Sequence, residues 1–127
     1  MKRGGILNAE LNAAISALGH GDLVVVADCG LPLPPGVPVV DLAVVHGVPP
    51  FAVVLDALLA DAVFEGCTAA TESEDTTAGD LIRHRFDVVD LVTHDELKTL
   101  SRSARVLIRT GEATPYANVV LRCGVPF

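Results

Sequence analysis

Hydrophobic positions at the start of the chain follow a helical period. Asn8 is a residue type that caps helices, and after it Leu11, Ala14, Ile15 and Leu18 repeat at helical spacing until Gly19 ends the pattern. The period then disappears. Residues 23–27, Leu-Val-Val-Val-Ala, are continuously apolar and predict a strand covered on both faces. A proline- and glycine-rich loop at 28–36 leads to a second strand region at 37–45, which Pro38 and Asp41 interrupt. Pro49-Pro50 stand where helix N-termini accept proline, and Phe51, Val54, Leu55, Leu58 and Leu59 form the apolar stripe of a second helix. Residues 67–70 read as a weaker strand. An acidic, polar stretch at 72–79 follows, and its second half, 75–79, is the most loop-like part of the chain. Residues 87–92 predict another strand, and Thr93 with Glu96 forms a capping box that opens a short helix through Ser101. Two last strands, 104–109 and 118–122, flank a connection containing Gly111 and Pro115.

This alternation predicts an α/β fold with helices on a mostly parallel sheet, in which ligands usually sit on loops at strand ends. No repeat, low-complexity tract or linker divides the chain, so residues 1–127 read as one domain.

Composition narrows the function classes. At 127 residues and 50% hydrophobic, the chain can build an apolar core without disulfide or metal staples. A net charge of −7 and the lack of a polybasic run argue against nucleic acid or an anionic membrane as partner. Cys29, Cys67 and Cys123 show no CxxC spacing and read as small buried hydrophobes in a reducing compartment, not as a zinc site. The N-terminus turns polar too soon for a signal-peptide core, and no apolar stretch approaches the roughly 20 residues of a membrane helix, so a soluble cytoplasmic protein is expected. GxGxxG, GxxxxGK[ST], GxSxG and HExxH are all missing, which removes the usual sequence support for nucleotide binding, phosphoryl transfer, serine hydrolysis and zincin chemistry.

Candidate chemistry rests on few residues. His20 follows the glycine that ends the first helix, and Asp28 ends the first buried strand. On position alone, these two read more readily as a surface histidine and a turn cap than as a site. His94 and Lys98 are one turn apart and share a helix face, for which a solvated polar face is the plainer reading. His46 ends a strand region, and His84, between Arg83 and Arg85, reads as surface. Tyr116 is the single tyrosine, with the Asn118 amide two residues on. A ring that stacks beside polar tips that hydrogen-bond suits a sugar; an Asn-capped turn with a packing tyrosine is an equally good reading.

Taken in order, several segments resemble the D-ribose pyranase family and its sister, the L-fucose mutarotases. They are Lys2-Arg3-Gly4 with Leu7-Asn8, Leu18-Gly19-His20-Gly21-Asp22, Asp28-Cys29-Gly30-Leu31-Pro32-Leu33-Pro34, Asp41-Leu42-Ala43 and Gly47-Val48-Pro49-Pro50-Phe51. The C-terminal block is Ile108-Arg109-Thr110-Gly111-Glu112-Ala113-Thr114-Pro115-Tyr116-Ala117-Asn118, closing with Gly124-Val125-Pro126-Phe127. Each piece is weak alone, and the ordered set, spanning nearly the whole chain, is specific.

The resemblance implies an α/β/α sandwich assembled into a ring, a pentamer or a decamer of two stacked pentamers, with sites completed between neighbouring subunits. It implies His20 as the catalytic residue and Asp28, His94, Lys98, Tyr116, Ala117 and Asn118 as sugar contacts, with His46 a further candidate. His46 stands where the family carries glutamine, and the stretch between Cys67 and Asp87 is short enough to lack most of a helix. The expected reaction interconverts the pyranose and furanose forms of D-ribose by acid–base ring opening, with neither metal nor cofactor. His20 would move the proton, and Asp28 would orient His20 or hold a sugar hydroxyl. An apolar surface of Phe51, Leu55 and Val125-Pro126-Phe127 is expected between subunits. The alternatives are L-fucose mutarotation, a non-catalytic sugar-binding partner of a transporter or kinase, and a structural ring component or nucleotide-binding module.

Overall fold

The computed structural model describes residues 1–127. In chain order the elements are α1 (Ala9–Ser16), β1 (Leu23–Ala27), β2 (Val39–Asp41), α2 (Phe51–Asp61) and β3 (Phe64–Ala70). After a single 3₁₀ turn (Thr71–Ser73) come α3 (Thr77–Arg83), β4 (Asp90–Val92), α4 (His94–Ser101), β5 (Val106–Arg109) and β6 (Val119–Cys123). The strands make one six-stranded sheet in the order β2-β5-β1-β6-β3-β4. Five strands run in one direction. β6 runs against them, wedged between β1 and β3.

Both faces of the sheet are covered, which explains the unbroken apolar run of β1. Val24 and Val26 face one way, into the larger core with Leu11 of α1, Phe51, Val54, Leu55 and Leu58 of α2 and Ile82 of α3. Val25 and Ala27 face the other way, against Leu97 of α4 and Leu31 of the following loop. Each wholly buried valine of β1 contributes about 1.5–3 kcal/mol relative to exposure. The result is a three-layer α/β/α arrangement with three helices on one face and one on the other.

Local signals set the helix starts. The Asn8 side chain accepts the Leu11 N–H at 2.8 Å, and the Thr93–Glu96 capping box is fully formed at the start of α4. Three expectations fail. Residues 77–79 are helix and not loop: Thr76 caps α3 by accepting the Gly79 N–H, and the helix runs seven residues, so the 67–87 stretch keeps a helix. Gly79 is required there because a Cβ would stand 2.2 Å from the Ser73 carbonyl oxygen. Phe51 and Leu55 are wholly buried in the chain's own core, so they offer no surface to a neighbour, whereas Val125 and Phe127 are exposed. Finally, Cys67 and Cys123 are buried but Cys29 is only half-buried. Burial, with the Asp90 charge as a smaller contribution, pushes the Cys67 thiol up to about 12. No helix is long and apolar enough to cross a membrane.

Candidate active site

The antiparallel register of β1 and β6 places Val26 opposite Val119, so Asp28, one step past the end of β1, meets Asn118, one step before β6. The two residues clasp each other. The Asp28 main-chain N–H donates to Asn118 Oδ1 at 2.9 Å, and Asn118 Nδ2 donates to Asp28 Oδ2 at 2.9 Å. The other Asp28 oxygen accepts the Gly30 N–H at 2.9 Å. Asn118 is fully buried and keeps one amide proton outside this pair.

Two residues upstream, Tyr116 adopts a left-handed backbone, with φ of 64°. For a residue with a side chain this costs roughly 1–2 kcal/mol, so surrounding contacts must hold it there. Its ring meets the His94 ring edge-on, with centroids 5.2 Å apart and planes at 84°. His94 is the first residue of α4, and its main-chain N–H donates to both Glu72 oxygens, at 2.9 and 3.1 Å. Hydrogen bonds from its own main-chain N–H and then from that of His94 hold the Glu72 carboxyl below the usual range. His94 Nδ1 is buried and has no partner. A buried ring nitrogen without a partner is costly. Lys98 lies one turn further along α4, half-buried, with Nζ 3.5 Å from Asp95. Ala117 is fully buried in the larger core, so its side chain faces the protein interior.

The 110–114 segment ties these parts to their neighbours. Glu112 Oε2 accepts the Phe51 N–H at the start of α2 at 3.1 Å. Glu112 Oε1 accepts the Ala113 and Thr114 N–H groups at 3.1 Å and the Thr114 hydroxyl at 2.9 Å. Burial works to raise the Glu112 carboxyl, but the hydrogen bonds from Thr114, Phe51 and Ala113 outweigh it and hold the group below its ordinary value. Arg109 donates to the Cys29 carbonyl and to Asp41.

His20 sits apart. It lies just before β1, and β1 with its five residues is about 17 Å long, so His20 and Asp28 stand at opposite ends of the sheet. The exposed His20 ring has Nε2 3.1 Å from Glu65 Oε2, in an open groove shared with Leu18, Val63, Cys123 and the tail residues Val125 and Phe127. Asp28 therefore does not orient His20 within one chain: its oxygens serve Asn118 and Gly30. The structure links Asp28 with Asn118 and Tyr116 with His94 through neighbouring positions of one segment, pairs Lys98 with Asp95 one turn along α4, and leaves His20 alone. His46 is exposed, beside a groove lined by Cys29, Val44, Val45 and Arg109. His84 is a surface residue with Nδ1 2.9 Å from the Asp80 carbonyl. A separate cavity of about 210 Å³ between α3 and the sheet contains none of these residues. No three His, Cys, Asp or Glu side chains gather where a metal ion could sit. Sequence reasoning missed Glu72, whose acidic surroundings read as loop, Glu65, which is distant in sequence from His20, and Glu112, whose role depends on a contact across 61 positions.

The chain is 55% identical to a D-ribose pyranase of Streptomyces avermitilis and 48% identical to one of Cutibacterium acnes, in each case over 100% of both chains. The solved structure of Bacillus subtilis RbsD complexed with D-ribose superposes with a TM-score of 0.94, at 38% identity, over 100% of both chains. A fucose mutarotase from Streptococcus pneumoniae, solved with L-fucose, shares the fold with a TM-score of 0.81 at 18% identity over 95% of each chain. A family model matches residues 1–126, and the chain belongs to the RbsD / FucU transport protein family.

Proposed function

We propose that this protein interconverts the pyranose and furanose forms of D-ribose by acid–base ring opening, without a cofactor. The observation that carries the reading is the preformed cluster of Asp28, Asn118, Tyr116 and His94 at one sheet end. It occurs in a chain 38% identical over its whole length to a structure solved with D-ribose. A carboxylate fixed by an amide, an aromatic edge and an imidazole with an unpartnered nitrogen together suit the hydroxyls and the apolar face of a small sugar.

The reaction needs proton transfers and little else. The anomeric hydroxyl loses its proton while the ring oxygen gains one, and the bond between C1 and the ring oxygen breaks to give the open aldehyde. The C4 hydroxyl then adds to C1, losing its proton as the carbonyl oxygen takes one up. A positioned acid–base group accelerates such exchange by roughly 10²–10⁴-fold. His20 is assigned as that proton donor. Asp28, His94, Tyr116 and Asn118 hold the sugar, with Lys98 at the rim and the Ala117 main chain beside it. His46 is a further candidate beyond Cys29.

Because His20 stands at the far end of β1, the assignment requires a second copy of the chain to bring its own His20 to the sugar. This favours a homo-oligomer with shared sites, a ring-shaped pentamer or decamer. The chemistry fits a cytoplasmic enzyme acting on imported sugar. Saturation-transfer NMR on D-ribose and L-fucose side by side, with light scattering on the same sample, tests the reading. Acceleration of ribose pyranose–furanose exchange by an oligomer is expected. A monomer, or ribose binding with no rate effect, would sink it, and acceleration confined to fucose would reassign the substrate.

A further inference from the structure

The Glu112 carboxylate lies beyond the sugar cluster, yet it makes more hydrogen bonds than any residue within it. One oxygen accepts from the first main-chain N–H of α2, and the other accepts from Ala113 and twice from Thr114. The main chain of the same residue works in the opposite direction. Its carbonyl accepts the Cys29 N–H at 2.9 Å, immediately after Asp28, and its N–H donates to the Thr110 hydroxyl at 3.1 Å. Gly111, one position before, donates to the Pro49 carbonyl at 2.9 Å and accepts from Gly47. It is pressed so closely on the 47–49 turn that a Cβ would lie 2.1 Å from the Val48 oxygen. This short segment is thus anchored to the end of β1, to the turn before α2 and to α2 itself. Two residues beyond its last anchor comes Tyr116, in the strained left-handed conformation.

We infer that Glu112 is a positioning residue for the sugar site: its carboxylate braces the 113–114 backbone against α2 so that Tyr116 stays edge-on to His94 while Asp28 stays paired with Asn118. The inference rests on the ribose reading above. The physical reason is the Tyr116 backbone. A left-handed backbone at a residue with a side chain is populated only while neighbouring contacts over-determine it, and the charge-assisted hydrogen bonds of Glu112 hold the residues just before it. Glu112 touches neither His20 nor the groove at the other end of the sheet. It therefore governs how well the sugar is held and not how fast the proton moves.

The experiment compares the full-length wild type with E112A and E112Q. Glutamine keeps one acceptor but turns an NH₂ group toward either the Phe51 N–H or the Thr114 side, so it breaks part of the brace; alanine removes all of it. E112A should raise the half-saturating ribose concentration about tenfold and E112Q about threefold, less than the full loss of the hydrogen bonds because Glu112 acts on the sugar only through the backbone it holds, while the rate at saturation stays within about twofold. Tyr116 provides a readout free of catalysis, since the chain has one tyrosine and no tryptophan. Acrylamide quenching of its fluorescence should increase in the order wild type, E112Q, E112A. T114V, which loses one leg of the brace and leaves Glu112 in place, guards against a failure of E112A to fold and should shift both readouts in the same direction. Unchanged half-saturation together with unchanged quenching in folded variants overturns the inference. So does a saturated rate that falls merely in step with the folded fraction. If the wild type accelerates no sugar exchange, the ribose reading fails, and tyrosine quenching still decides whether Glu112 braces Tyr116.

Discussion

The two ends of the sheet are built on different principles. At the end carrying Asp28, Asn118, Tyr116 and His94, side chains are buried or half-buried; Asp28 and Asn118 are held by mutual hydrogen bonds, Tyr116 meets the His94 ring edge-on, and Glu72 and Glu112 supply charged acceptors to the main chain. At the other end, His20 stands 60% exposed, with one partner, Glu65, itself 43% exposed. On the proposed reading, the first end would hold the sugar and the second, in its open groove, would present His20 to a neighbouring copy. Binding a sugar benefits from preorganisation, because ordering the contacts beforehand lowers the entropy lost on association. Proton transfer by an imidazole needs approach to the sugar, which on the proposed reading a second subunit would supply.

This contrast is open to attack at each end. The largest effect is expected from His20→Ala: loss of roughly 10²–10⁴-fold of the rate enhancement in ribose exchange NMR, with thermal stability unchanged because the side chain is exposed. A mutant that unfolds, or one that keeps its rate, would erase the distinction. Asn118→Ala should behave oppositely. Removing a buried amide strips the Asp28 carboxylate and N–H of their partners and costs about 1–3 kcal/mol in urea unfolding, together with weaker ribose binding by titration calorimetry.

A pH series sharpens the comparison further. The Glu112 carboxyl is held low in the folded protein, so its contribution to stability is fully present above the unfolded carboxylate value of about 4.3 and is lost as pH falls through the lower folded value. Wild-type unfolding free energy should therefore decline below that pH. E112Q should decline less steeply, and an identical acid limb would show that the brace adds nothing. The smallest effect is expected from Glu65→Gln. An exposed pair contributes no more than about 1 kcal/mol, so stability should move by less than that, and its sensitivity to added salt should diminish.

Much of the fold was legible because the signals were local. The β1 run, the Asn8 cap, the α2 stripe and the Thr93–Glu96 capping box each depend on residues a few positions apart. α3 was not legible, because its polar, threonine-rich start resembles a loop until Gly79 is seen packed against the Ser73 carbonyl. β4 and β2 came out shorter than their apolar patterns, since pairing with one neighbour at a sheet edge, not hydropathy, decides where a strand ends. The arrangement of the candidate residues was not legible: Asp28 was expected to orient His20 or to hold a sugar hydroxyl, and within the chain its carboxylate pairs with Asn118 and Gly30.

By itself, the order of residues determined the α/β class, the starts of α1, α2 and α4 and the two-sided burial of β1. All of these follow from backbone propensity and hydrophobic period. Only the tertiary structure decided that β6 runs against its neighbours, that Asp28 and Asn118 form one unit and that Glu112 joins α2 to the Tyr116 loop. These are contacts between positions tens of residues apart. They are chosen by how the packed layers bring strand ends together, and no local pattern encodes that distance.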